Sequence, residues 1–354
     1  MKIDAFLPLV AMLGLAFPAC SVKRMAINSM ADTLASAGDV FASDNDPELV
    51  RDAVPFSLKT IESLLVSVPN HRGLLLAACS GFTQYAYAFV QTDAELIETK
   101  DYRASVEGKD RALKLYLRAR DYCVRHLELR HRGIRPQLVK DPNAALVGTT
   151  RAEVPVLYWT GASWGAAIAL GLDKPELIAD LPVVRALMDR ALELDETYSR
   201  GAIHEALISL EAVPEAMGGS SQRARQHFAR AVELSKGLSA GPYVTLASSV
   251  SVAAQDRAEF ERLLNQALAI DVDKDPTLRL ANIITQRRAR FLLENGNDLF
   301  AFHVRPERHR VMTTFTPALQ AGLKTRLYNA AFRTLGSGGS SDPRAQFGVE
   351  EVPR

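Results

Sequence analysis

Apolar residues recur at steps of three and four positions along most of the chain between residues 25 and 295. An α-helix has about 3.6 residues per turn, so this spacing places apolar side chains on one helix face. Alternating apolar and polar runs bounded by turn signals, which are typical of exposed strands, are scarce. The pattern predicts an all-α protein. Its clearest segments are Val50, Val54, Leu58, Ile61, Leu65 and Val68; Val183, Val184, Leu187, Ala191 and Leu194; and Phe260, Leu263, Leu264, Ala267, Leu268 and Ile270.

Three Asp-Pro pairs indicate where helices begin: Asp46-Pro47, Asp141-Pro142 and Asp275-Pro276. An aspartate at the N-cap accepts a hydrogen bond from a free backbone amide, and a proline in the first helical turn sacrifices no hydrogen bond. Helix ends are expected at glycines, which adopt the left-handed conformation of a C-terminal cap without strain. The glycines in such places are Gly171, Gly237 and Gly296.

One pentad recurs at the predicted helix ends: Ala191–Asp195, Ala231–Ser235 and Ala267–Asp271, spaced 40 and 36 residues apart. Tetratricopeptide repeats have a period of about 34 residues and pair two helices, so a similar string closes each second helix. We therefore expect an irregular tetratricopeptide-like helical repeat array, an α-α superhelix, over residues 21–300. Chance agreement between amphipathic helices is the alternative. The longer spacing predicts lengthened loops, such as the one from Pro214 to Ser221.

The N-terminal residues 1–20 differ from the rest. Lys2 precedes an uncharged apolar stretch, Ala5–Phe17, which is too short to span a bilayer but suits the hydrophobic region of a signal peptide. It ends at Ala19-Cys20-Ser21, which resembles a bacterial lipoprotein signal with Cys20 as the lipid-attachment residue. An ordinary cleaved signal peptide is the alternative. These residues predict a periplasmic protein, lipid-anchored to the inner leaflet of the outer membrane.

Charge and composition narrow the class of partner. The formal net charge of the 354 residues is +1, so no overall field favours nucleic acid.

Residues 301–354 form a predicted C-terminal extension with a basic segment at 303–310 and a flexible linker composition at 336–341. Ala318–Leu335 could be one helix, and the residues after it are expected to be disordered.

Cys79 and Cys123 lie in apolar helical segments, where two buried free thiols are favoured over a disulfide.

Two strings resemble catalytic motifs. Gly161–Gly165 fits the Gly-x-Ser-x-Gly pattern around a hydrolase nucleophile, Ser163, but that motif requires a strand–turn–helix junction. The same small residues can instead let two helices approach closely. His204-Glu205 begins a zinc-protease string, yet isoleucine at position 208 removes the second ligand. The sequence therefore predicts neither an enzyme nor a metal or cofactor site.

Several longer strings resemble one family, the T component associated with tripartite ATP-independent periplasmic (TRAP) transporters. The resemblance runs from about Ser21 to Phe300 and keeps the order of the strings. Phe17 and Pro18 before Cys20, and the tail after Phe300, depart from the family pattern. The matching strings are Val40–Val50, Asn70–Ala78, Gly81–Val90, Lys114–Asp121, Tyr158–Gly165, Gly218–Gly219, His227–Phe228 and Gln286–Arg290.

This resemblance implies a periplasmic lipoprotein that associates with the solute-binding P component of a TRAP system. It also implies a possible homotrimer with a pore or cleft, and a role in passing a small organic ligand, an organic acid or a hydrophobic molecule, to the P component. An envelope scaffold that gathers proteins without a small ligand is the competing interpretation.

The ligand-contacting residues are predicted from the chemistry of binding sites, which combine aromatic walls with a few polar anchors. The aromatic candidates lie in the two segments richest in rings, where packing in the core is the alternative role. The basic candidates could hold an acidic ligand. The predicted ligand-binding residues are Tyr85, Tyr158, Trp159, Trp164, Arg287 and Arg288.

Overall fold

A computed structural model describes residues 28–29, 31–34 and 38–300. The predicted signal peptide at 1–20, Cys20 and the predicted extension at 301–354 lie outside the described residues. The chain divides into two compact units, Met1–Glu294 and Asn295–Arg354, and the described part of the second contains a short 3₁₀ helix, Gly296–Leu299. The predicted domain boundary at residue 300 stays a prediction.

The described residues form helices and contain no strand, which confirms the all-α prediction. Two segments are π-helical, Ala86–Gln91 and Ala247–Ser251. The other 3₁₀ helices are Arg151–Glu153, Tyr198–Arg200, Glu215–Met217 and Pro276–Leu278. The α-helices are α1 (Gly38–Ala42), α2 (Pro47–Ser67), α3 (Arg72–Tyr85), α4 (Thr92–Leu96), α5 (Tyr102–Glu128), α6 (Ile134–Lys140), α7 (Pro142–Leu146), α8 (Val154–Leu170), α9 (Pro175–Ile178), α10 (Leu181–Leu194), α11 (Ala202–Glu211), α12 (Ser221–Leu234), α13 (Gly241–Leu246), α14 (Arg257–Leu268) and α15 (Arg279–Asn295).

The long helices pack mainly on their neighbours in the chain. Helix α3 contacts α2 and α5, α8 contacts α5 and α10, α11 contacts α12, and α13 contacts α14. The helix faces predicted from the apolar spacing form much of the core, and burying each large aliphatic side chain stabilises the fold by about 2 kcal/mol. The buried members of those faces are Val50, Leu58, Ile61, Leu65, Val68, Val183, Val184, Leu187, Ala191, Phe260, Leu263, Leu264 and Ala267.

The recurring pentads lie where α10, α12 and α14 end, as predicted. The first residue of each pentad, Ala191, Ala231 or Ala267, is almost completely buried. A methyl side chain at these positions lets neighbouring helices approach closely. That these helix pairs are tetratricopeptide repeats stays a prediction.

The three Asp-Pro pairs begin helices, as predicted. The Asp46 carboxylate accepts hydrogen bonds from the backbone amides of Glu48 and Leu49 at 3.0 and 3.1 Å. Asp141 caps α7 in the same way, and Asp275 caps the 3₁₀ turn Pro276–Leu278 that leads into α15. Each proline occupies the first turn, where its missing N–H is not needed.

The string Gly161–Gly165 lies inside helix α8 and forms no strand–turn–helix junction. A β-carbon at Gly161 would lie 2.9 Å from Met188 Cε, and one at Gly165 would lie 3.2 Å from Val184 Cγ1. The glycines therefore let α8 and α10 approach closely, which is the helix-packing interpretation of the string. Ser163 is fully buried and donates a hydrogen bond to the Thr160 carbonyl at 3.1 Å.

Cys79 and Cys123 form a disulfide bond, so the expectation of two free thiols was wrong. Cys79 lies on α3 and Cys123 on α5, and their Cα atoms are 5.3 Å apart. The two residues are 44 positions apart in the sequence, and only the side-by-side packing of α3 and α5 brings them together. The bond lies in the core, where both cysteines are completely buried.

Within the described residues, one continuous helical stretch, Arg72–Leu96, is long and apolar enough to cross a membrane. Its most apolar window has a mean hydropathy of 1.2, and half of that window is buried inside the protein. Buried core helices have the same composition, and this stretch carries Leu74, Leu75 and Cys79 of the core. Its composition is therefore accounted for by packing against α2 and α5.

The predicted lengthened loop after α11 contains two adjacent glycines that are needed for different reasons. One adopts a positive φ angle, and the other leaves no space for a side chain. Gly218 has a φ of 86° and no neighbour within 4 Å of an added β-carbon, whereas a β-carbon at Gly219 would overlap the backbone carbonyl of Val213. We expect Gly219→Ala to lower the free energy of unfolding by about 2 kcal/mol, because the backbone must move. Gly218→Ala should cost about 1 kcal/mol from the positive φ alone. Urea denaturation of both variants checks the ranking, and equal losses would contradict it.

Candidate ligand-binding site

A cavity of about 330 Å³ lies among α5, α8, α11, α13, α15 and the two π-helical segments. Its wall contains three tyrosines, several hydroxyl groups and two charged side chains, with small alanines between them. Such a mixture of aromatic walls and a few polar groups is typical of small-molecule sites. The lining residues are Tyr87, Gln91, Tyr116, Tyr158, Ala166, Ala169, Glu205, Ala206, Ser209, Thr245, Ser248, Ser249 and Arg288.

Both π-helical segments contribute to this wall. Ala86–Gln91 supplies Tyr87 and Gln91, and Ala247–Ser251 supplies Ser248 and Ser249. A π turn contains one residue more than an α turn, which shifts the following side chains around the helix, and such turns are frequent at functional sites. The occurrence of both described π segments at one cavity indicates that the wall is specifically shaped.

One end of the cavity is a network of several hydrogen bonds and one ion pair, in which Arg288 Nε faces Glu95 without forming a hydrogen bond. Arg288 Nε lies 3.1 Å from Glu95 Oε2, and Arg288 Nη1 donates to the Tyr87 hydroxyl at 3.4 Å. The Gln91 amide donates to Glu95 Oε1 at 2.8 Å and accepts from the Tyr116 hydroxyl at 2.7 Å. Because each group holds the next, the network fixes the guanidinium and the two phenols before any ligand arrives.

Glu205 projects from α11 at another part of the wall. Its carboxyl group lies against Gly241, where a β-carbon would come within 2.5 Å of Glu205 Cδ. Burial raises the pKa of Glu205 to about 7, because an ionised carboxylate loses its hydration without gaining a partner. Glu205 is thus poised between its neutral and charged forms near neutral pH.

The phenols of the wall stay protonated at neutral pH. Burial raises the pKa of Tyr87, Tyr116 and Tyr158 above the ordinary value of 10.0. Tyr87 nevertheless has 37% of its surface exposed. Tyr87 is also one of the residues that line the cavity. The wall therefore presents neutral aromatic rings with hydroxyl groups.

Two of the six predicted ligand-binding residues, Tyr158 and Arg288, lie in the cavity wall. Trp159 packs edge-on against Tyr158 with ring centroids 4.9 Å apart. It contacts the wall residue Tyr158 but is not among the residues that line the cavity. The ligand-binding role of Tyr158 and Arg288 stays a prediction.

The structure places the other three predicted residues elsewhere. Trp164 is buried, and its Nε1 donates to Asp180 at 3.1 Å. Tyr85 packs against Phe89 in the core, with ring centroids 5.8 Å apart. Arg287 Nη1 lies 2.7 Å from the exposed carboxylate of Glu48. Core packing, the alternative considered for the aromatic residues, describes Trp164 and Tyr85, and a surface ion pair describes Arg287.

Several residues of the cavity wall were not predicted from the sequence as ligand-binding residues. Tyr116 and Gln91 lie on segments whose sequence has the spacing of an ordinary amphipathic helix. Glu205 was considered only as part of an incomplete zinc-protease string. One usable signal was present, because Glu205 stands among the apolar residues Ile203, Ala206 and Leu207. A glutamate within such a run is unusual, because charged residues are rarely placed on a packing face unless they are paired.

His204, adjacent to Glu205, is not isolated. Its Nδ1 lies 2.8 Å from His227 Nδ1, and its Nε2 lies 3.2 Å from Glu196 Oε1. Glu196 also pairs with Arg230. Burial lowers the pKa of both histidines, which favours neutral imidazoles. Among the described residues no group of three or more His, Cys, Asp or Glu side chains is arranged to hold a metal ion.

Comparison with known proteins identifies the family of this chain. The sequence profile of the family described as "TRAP transporter T-component" matches residues 43–300. The chain is also similar to an uncharacterized protein of Treponema pallidum (strain Nichols), with 32% identity over 300 residues, which cover 79% of this chain and 93% of that protein. The family match spans every helix that borders the cavity. The chain therefore belongs to the TRAP transporter T-component family.

Proposed function

We propose that this TRAP transporter T component binds a small organic ligand in the cavity and docks the solute-binding P component of its transporter. The cavity itself carries the proposal. Its wall combines three tyrosine rings with Glu205 and Arg288 in about 330 Å³, a volume within the range of ordinary ligand sites. A scaffold that acts only through its outer surface would have no need of such a wall.

The location of the protein belongs to the same proposal. The apolar stretch before Cys20 supports export to the periplasm with a lipid tether at that cysteine. A disulfide between Cys79 and Cys123 is compatible with an oxidising compartment. A homotrimer, as the family resemblance implies, would bring three such cavities together near the membrane.

Native mass spectrometry of the purified mature protein tests ligand binding. We expect a co-purified small molecule on the wild type and its loss from Ala169→Trp, because an indole at this wall position fills the cavity. Ala179→Trp, at an exposed position after α9, is the matched control and should keep the ligand. The expected loss of affinity is at least about tenfold, or 1.4 kcal/mol. Retention of the ligand by Ala169→Trp would place the binding site elsewhere.

Capture of the P component tests docking. The solute-binding protein encoded beside the TRAP membrane subunits should be retained by the immobilised wild type and by Ala179→Trp. Capture of that protein, together with the absence of any small molecule from the wild type, would favour the scaffold interpretation. If neither a ligand nor the P component binds, the proposed function is wrong.

A further inference from the structure

The two charged side chains of the described cavity wall differ in their partners. Arg288 already has a counterion, since its Nε lies 3.1 Å from Glu95 Oε2. Among the described residues, none donates a hydrogen bond to the Glu205 carboxyl group or forms an ion pair with it. The unmatched charge of the wall is therefore negative whenever Glu205 is ionised.

The position of the Glu205 carboxyl group depends on a residue with no side chain. It rests against the Cα of Gly241, and a larger residue there would overlap it. Burial alone accounts for the raised pKa of Glu205. An unpaired carboxylate in such a place needs either a proton or a cationic partner, because the cost of burying a lone charge is high.

The hydroxyl groups of the cavity wall near Glu205 can accept hydrogen bonds from a ligand. The Tyr116 hydroxyl gives its proton to Gln91 at 2.7 Å, and the Ser249 hydroxyl gives its proton to the Thr245 carbonyl at 2.6 Å. Both oxygens keep lone pairs that can accept hydrogen bonds. The faces of tyrosine rings also attract cations, because the ring quadrupole is negative above and below the plane.

We propose that the cavity binds a small organic ammonium ion, whose N–H groups donate to the Glu205 carboxylate while Tyr87 and Tyr158 cover its apolar part. This inference rests on the proposed ligand binding and names the class of ligand. A carboxylate ligand would bring a second negative charge near Glu205. Arg288 would have to give up part of its interaction with Glu95 to hold that ligand.

The pKa shifts of the other ionisable groups around Glu205 favour their neutral forms near neutral pH. Burial raises the pKa of Tyr87 and Tyr158 and lowers that of His204 and His227. From α13, Gly241 contributes no charge. Several charged groups on the neighbouring elements form ion pairs: Arg288 with Glu95, Arg230 with Glu196, and Arg185 and Arg223 with Glu211.

Calorimetric titration of the purified mature protein with benzylamine, benzyl alcohol and phenylacetate tests the inference. At pH 8 benzylamine should bind at least tenfold more tightly than the other two probes. Its affinity should rise about tenfold from pH 6 to pH 8 as Glu205 ionises, since the amine stays protonated over this range. The affinity of benzyl alcohol should not follow that ionisation.

Glu205→Gln, which removes the charge and keeps the shape, should weaken benzylamine binding about tenfold and abolish its pH dependence. Glu215→Gln, at an exposed position, should behave as the wild type. Tighter binding of phenylacetate, or an unchanged benzylamine affinity in Glu205→Gln, would overturn the ammonium proposal while leaving ligand binding in place. The absence of binding by all three probes would overturn it as well, even where native mass spectrometry finds another ligand.

Discussion

Replacing both Cys79 and Cys123 with alanine is expected to lower the free energy of unfolding by about 4 kcal/mol. The disulfide joins residues 44 positions apart, and a cross-link over a loop of that length removes much conformational freedom from the unfolded chain. Because both cysteines are completely buried between α3 and α5, small cavities left by the missing sulfurs add to the loss. Urea denaturation at neutral pH measures the difference.

The wild type in a reducing buffer provides the control for this prediction. Reduction should lower its stability towards that of the double variant, whereas the double variant should be insensitive to the reductant. Alkylation of the denatured protein without prior reduction counts the free thiols. Two alkylated cysteines at positions 79 and 123, or equal stability with and without reductant, would contradict the disulfide.

Replacing Glu205 with glutamine is expected to stabilise the ligand-free protein by about 3 kcal/mol above pH 8 and to change little near pH 4. Glu205 ionises at about 4.5 in the unfolded chain but at about 7 in the folded protein. Between these values the unfolded state has lost the proton that the folded state keeps, so the stability of the wild type falls as the pH rises. The shift of the pKa sets the size of the loss.

Urea denaturation at pH 4.5 and pH 8.5 measures this effect as the difference between the wild type and Glu205→Gln. Comparison of two variants at each pH removes the contribution of other titrating groups. Glu215→Gln, whose side chain is exposed, should show no such pH-dependent difference. The same pH dependence for the wild type and Glu205→Gln would show that the Glu205 carboxyl group is hydrated or paired.

The two central predictions concern groups that the sequence does not connect. The apolar spacing of residues such as Val50 and Leu58 predicted the helices, because helical periodicity is a property of consecutive residues. The carboxylates of Asp46 and Asp141 predicted helix starts for the same reason, since a cap and its amide are neighbours in the chain. By contrast, the pairing of Cys79 with Cys123 depends on which helices lie side by side.

The cavity illustrates the same limit. Aromatic richness directed attention to Tyr158, and the basic segment on α15 to Arg288, and both residues lie in the cavity wall. Nothing local distinguished them from Trp164 or Arg287, which have similar neighbours in the sequence but face the core or the surface. Each side chain's direction depends on helix rotation, and the extra residue of each π turn alters that rotation.

The sequence by itself determined the all-helical class, several helix boundaries and the family resemblance, because these depend on local spacing and on long strings of residues. Only the tertiary structure decided that the two thiols are bonded, that Ser163 is buried within α8, and that Glu205 lacks a partner. These properties arise from contacts between residues far apart in the chain. Such contacts are selected by the packing of whole helices, which no short pattern encodes.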